Sequence, residues 1–127
     1  MKILSVDDSC LIHRIVESTA SVFGAHCVPV SDCQLALRTL QSDPLGFSLV
    51  CIDCNTPKSH GLQFLAEMRA DERWMALPVL IFTPTGSRDA MLEAIKAGAT
   101  AFMSMPFVKT DLQAKMLACL GAETLMV

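Results

Sequence analysis

An adjacent acidic pair, Asp7-Asp8, closes the first apolar run of the chain, and a single acid, Asp53, closes the third. Each follows a segment with the pattern of a buried strand, Lys2-Ile3-Leu4-Ser5-Val6 and Ser48-Leu49-Val50-Cys51-Ile52, so each is expected at a strand's carboxyl end. In an open parallel sheet those ends line the ligand crevice. Three carboxylates crowded there repel one another unless a divalent cation lies between them, and hard oxygen ligands with open positions suit Mg²⁺. Thr83 ends the fourth apolar run and brings to the same rim a hydroxyl able to bond an anionic oxygen. A carboxylate nucleophile, a divalent metal and a hydroxyl donor together suit phosphoryl transfer, in which protein groups mostly position and neutralise charge; Asp53 is the natural nucleophile. Taken singly, each aspartate reads as a strand-end turn residue. The three with Thr83 do not.

Alternating elements must position these groups. Short runs rich in Val, Ile, Leu and Phe alternate with longer segments of helical period, the pattern of repeated βαβ units and a parallel sheet. After the first strand, Leu11, Ile12, Ile15, Val16 and Val22 recur at helical spacing, with Ser9 as N-cap and Gly24 as stop. A strand at His26 to Val30 leads into a helix at Gln34 to Leu40, and Asp43-Pro44 breaks the chain before the third strand at Phe47 to Ile52. Gly61 to Ala70 is a third helix, Pro78 opens the strand Val79 to Phe82, and Ser87 to Ala97 is a fourth helix stopped by Gly98. Ala101 to Ser104 and Thr110 to Leu120 are the last strand and helix. Right-handed crossovers place the helices on both faces of a five-stranded sheet.

Composition bounds the rest. The 127 residues read as one domain, 1–127, large enough to bury roughly two-thirds of the surface of its unfolded chain. The hydrophobic fraction is 52%, yet no apolar run approaches the roughly 20 residues of a membrane span, and Asp7-Asp8 interrupt the first run too early for a signal peptide. A soluble, cytoplasmic protein with no membrane partner is expected. The six cysteines then read as small buried hydrophobes, and the net charge of −3 argues against a nucleic-acid surface. Cys51 and Cys54 have the spacing of half a zinc site near His60, but no second pair of ligands stands at matching distance. Carboxylates beside Cys10 and Cys54 would blunt thiol chemistry. His13 and His26 show no partner pattern.

These residues resemble the receiver domain of two-component response regulators, most closely the single-domain chemotaxis type, over nearly the whole chain. Asp7-Asp8 is similar to that family's acidic pair, Asp53 to its phosphoaccepting aspartate, and Asp53 to Gly61 to the loop with its proline and glycine. Thr83 stands at the family's Thr or Ser, and Phe102 at its switch aromatic. The resemblance implies a flavodoxin-like doubly wound sheet of order 2-1-3-4-5. It also implies Mg²⁺ on Asp8, Asp53 and the backbone carbonyl of Asn55, with Asp7 acting through water. A histidine kinase or phosphotransfer protein is the implied donor, and the protein is then a relay rather than an enzyme with an external product.

One departure stands out. The family expects a lysine immediately before Pro106-Phe107, and this chain has Met105. Phosphoryl acceptance is therefore expected to be weakened, and the coupling to output more so. Lys58, Arg88 and Lys109 read as solvated surface charges rather than substitutes. Thr56, Pro84 and Cys33 are milder departures. Two other classes share the fold: an FMN-binding flavodoxin, disfavoured because Asp7-Asp8 would repel its phosphate, and a degenerate receiver acting as a phosphorylation-independent docking or dimerisation module, which Met105 supports. On the fourth helix, Met91 and Ile95 lie four apart and, with Phe102, are expected to form an apolar patch for a downstream partner or for self-association.

Overall fold

The structure is a computed structural model and describes residues 1–53, 61–83 and 88–121. Five strands, β1 (Lys2–Val6), β2 (His26–Val30), β3 (Phe47–Asp53), β4 (Val79–Thr83) and β5 (Ala101–Ser104), alternate with five helices. The helices are α1 (Cys10–Ser21), α2 (Cys33–Ser42), α3 (Gly61–Arg69), α4 (Arg88–Ala97) and α5 (Lys109–Gly121). All pairings are parallel and the order is β2-β1-β3-β4-β5, so the flavodoxin-like sheet is as expected.

Two apolar layers cover the sheet. One joins Leu4, Val50, Ile52 and Ile81 to Ala36 and Leu40 of α2, Phe64, Leu65 and Met68 of α3, and Ala94 of α4. The other joins Ile3, Leu49, Cys51, Leu80 and Phe82 to Val16 and Ala20 of α1 and to Leu112, Met116 and Cys119 of α5. The alternation along β3 follows from its period of two: Val50 and Ile52 face one layer, Leu49 and Cys51 the other.

Helix starts and stops follow local chemistry. Ser9 caps α1 by accepting from the Ile12 amide, and Asp32 caps α2 one residue earlier than expected, so that α2 begins at Cys33. Gly24 and Gly98 adopt the left-handed backbone (φ 72° and 107°) that ends a helix without a Cβ penalty. Two members of the expected α1 stripe are corrected: Leu11 and Val22 are exposed, and Thr19 and Ala20 are buried instead. Positions 12, 15, 16, 19 and 20 share one helical face; Leu11 lies off it and Val22 is already the C-cap. The buried Thr19 hydroxyl is satisfied by donating to the Ile15 carbonyl at 2.7 Å. Ser87, expected to open α4, lies outside the described residues.

Arg69 and Trp74, neither singled out from the sequence, tie down the turn between α3 and β4. Trp74 is buried and donates its indole N–H to the Pro44 carbonyl at 3.2 Å. No described helix is long and apolar enough to cross a membrane.

Candidate functional site

Strand register builds the acidic rim. β1 lies between β2 and β3, and its pairing aligns Val6 with Ile52, so the next residues, Asp7 and Asp53, emerge side by side. β3 pairs Asp53 with Phe82, which places Thr83 one step further along the neighbouring strand. Carboxylate oxygens of Asp7, Asp8 and Asp53 all lie within 4.8 Å of one another. Asp7 and Asp53 are buried, Asp8 is exposed, and Thr83 is buried at the same edge.

Asp7 is the electrostatic focus. Its Oδ1 accepts from the Ser9 amide at 2.8 Å, while Oδ2 is buried with no hydrogen-bond partner among the described residues. Burial pushes its pKa up to about 7; the Ser9 hydrogen bond opposes the rise, and the charges of Asp53 and Asp8 add to it. Three clustered carboxylates, one of which has an oxygen without a partner among the described residues, are a donor set for a hard divalent cation, so these residues fit Mg²⁺. Asp8→Ala is expected to lower metal affinity at least tenfold; calorimetric titration with Mg²⁺ or Mn²⁺ giving equal affinity for variant and wild type would remove Asp8 from the site.

The remaining sequence-derived residues divide clearly. Phe102, paired in register with Ile81, is half-buried against the layer that contains Ala94. Met105 is half-buried against the opposite layer, and its amide donates to the Thr83 carbonyl at 2.6 Å. Lys109 donates to the Ser18 hydroxyl at 2.8 Å on α1, and Arg88 is exposed at the start of α4. Asn55, Lys58, Cys54, Thr56, His60 and Pro84 lie outside the described residues. Cys51 is buried, and desolvation drives its thiol pKa far upward, as expected of an inert core thiol.

Two readings are corrected. His13 has a partner: its Nδ1 lies 2.9 Å from the hydroxyl of Ser5, a buried polar residue on β1. Its spacing in the sequence carries no sign of this partner, which only the packing of α1 against β1 supplies. The expected patch on α4 is larger than Met91 and Ile95, because Leu92 is also open to solvent; exposures are 38%, 55% and 40% respectively. Ala94 is the one fully buried residue of this helix.

A doubly wound sheet with an acidic, metal-competent rim at its topological switch point defines a signalling module of the receiver type. The model for the response regulator receiver domain matches residues 3–117, and the chain belongs to that family. It is 35% identical over 116 residues to the chemotaxis protein CheY of Pseudomonas aeruginosa, covering 91% of this chain and 92% of that protein. Chemotaxis protein CheY-3 of Vibrio cholerae is also 35% identical, over 117 residues, covering 91% and 88%. Among solved structures, CheY4 of Vibrio cholerae superposes with a TM-score of 0.85 at 28% identity, covering 94% of this chain and 98% of that one. Receiver domains are modules of two-component signalling that bind Mg²⁺ at an acidic pocket.

Proposed function

We propose that this chain is a phosphorelay receiver in which Asp53 accepts a phosphoryl group, Asp7, Asp8, Asp53 and the Asn55 carbonyl hold Mg²⁺, and the face of α4, β5 and α5 carries the output. The observation behind this reading is the cluster of Asp7, Asp8 and Asp53, whose carboxylate oxygens lie within 4.8 Å of one another, beside a buried Asp7 Oδ2 that has no partner among the described residues. A carboxylate oxygen of Asp53 attacks the phosphorus of a phosphohistidine on a kinase or phosphotransfer protein. The P–O bond forms as the P–N bond breaks, and the imidazole leaves with the bonding pair. Bound Mg²⁺ supplies the positive charge that this step needs. Thr83 donates its hydroxyl to a phosphoryl oxygen, and Phe102 follows that movement toward Met91 and Ile95. The protein relays a signal and is not an enzyme with an external product.

The test is incorporation from a small phosphodonor in the presence of Mg²⁺. Wild type is expected to label and Asp53→Asn to lose essentially all label; label persisting in the variant would place the acceptor elsewhere. A second reading, a phosphorylation-independent docking or dimerisation module, is favoured by Met105, whose side chain lies in the apolar layer and brings no charge to the rim. A wild-type chain that neither labels nor binds beryllofluoride, yet associates through Met91 and Ile95, would select it.

A further inference from the structure

We propose that Arg69 pins the carboxyl end of α4, and so sets the position of the helix that presents Met91, Leu92 and Ile95. The guanidinium at the last turn of α3 donates from Nε to the Gly98 carbonyl at 2.9 Å and from Nη1 to the carbonyls of Trp74 and Leu77, each at 2.7 Å. Gly98 is the residue at which α4 stops. Its amide bonds back to Ile95 and that of Ala99 to Ala94, while its carbonyl goes to Arg69. Its left-handed backbone and missing side chain both serve this contact, because a Cβ there would lie 2.7 Å from Cγ of Arg69.

The mount is firm and the helix is not. α3 buries Phe64, Leu65 and Met68, and the Trp74 turn is held by its buried indole. α4 buries only Ala94 fully, with Ala90 and Ala97 half-buried. An alanine contributes little apolar area compared with a leucine or phenylalanine. Side-chain burial therefore holds α4 weakly, and a charge-assisted bond to the carbonyl at its carboxyl end is a correspondingly large share of its attachment. A shift of α4 during signalling would turn about this point, carrying the apolar patch with it. The inference holds whether or not Asp53 accepts a phosphoryl group.

The experiment is hydrogen exchange of the full chain read by mass spectrometry, comparing wild type with Arg69→Met and Arg69→Lys. Loss of the bonds is expected to speed exchange of peptides spanning 88–99 roughly 10- to 100-fold in Arg69→Met, with β1 and β3 changed by less than about threefold. Arg69→Lys should fall between, since one ammonium lacks the fork that reaches three carbonyls. It also serves as the folded comparison if Arg69→Met does not fold. Acceleration of the β1 and β3 amides in step with α4 would make Arg69 a general stabiliser and overturn the proposal, as would unchanged exchange in α4.

Discussion

Without divalent metal, stability should fall as pH rises from about 4 to about 7, and Asp7→Asn should remove most of that fall. The folded-state pKa of Asp7 is raised from 3.8 to about 7. Between those values the folded protein holds a proton that the unfolded chain has released, so raising the pH favours unfolding. The penalty is absent below the unfolded value and complete above the folded one. A shift of this size corresponds to roughly 4 kcal/mol, or an unfolding midpoint lower by about 15 °C for a domain of this length. In chelator, Asp7→Asn and wild type should therefore unfold together near pH 4 and separate by pH 8, the variant being the more stable. Saturating Mg²⁺ should stabilise the wild type and narrow the gap, because the cation offsets the repulsion among Asp7, Asp8 and Asp53. Calorimetry across that range in chelator decides the matter: a gap that does not depend on pH would mean that Asp7 is not the strained group. Asp53→Asn should give a smaller gain of the same sign, since it removes one of the charges acting on Asp7.

Met105→Lys should strengthen the phosphoryl site. The Met105 amide is fixed to the Thr83 carbonyl at 2.6 Å, so residue 105 is held beside the end of β4. A lysine could lay its methylene stem over the apolar surface that now receives the thioether and extend its ammonium to the rim. A unit charge about 4 Å from an anionic oxygen contributes ~4 kcal/mol at an effective dielectric of 20, before the cost of ordering the side chain. Even a fraction of that predicts at least a tenfold gain, read as beryllofluoride affinity with Mg²⁺ or as lifetime of the phosphorylated form. Met105→Leu isolates packing from charge and should behave like wild type. Equal affinity in all three proteins would show that the rim does not need this cation, and that the weakness expected from the sequence does not exist.

Much of this molecule is legible in one dimension, because local signals have local causes. The periods of the apolar runs mark the strands and helices; Ser9, Gly24 and Gly98 mark starts and stops through capping and left-handed backbone. The chain also determines that Asp53 and Thr83 end strands and that Asp7-Asp8 directly follow one, since each closes an apolar run. Tertiary structure decides what those ends meet. Asp53 stands beside Asp7 because β3 pairs with β1 in a register that aligns Ile52 with Val6, an arrangement of residues dozens of positions apart that no local pattern encodes. Burial of Asp7 Oδ2, and hence the raised proton affinity of this carboxylate, is a property of the folded chain. The same holds for Ser5 meeting His13, and for Arg69, which by its sequence is one basic residue at a helix end. Only the folded chain brings the carbonyls of Trp74, Leu77 and Gly98 to its guanidinium, because side-chain hydrogen bonds between elements depend on the approach of backbones whose spacing is set by the whole sheet.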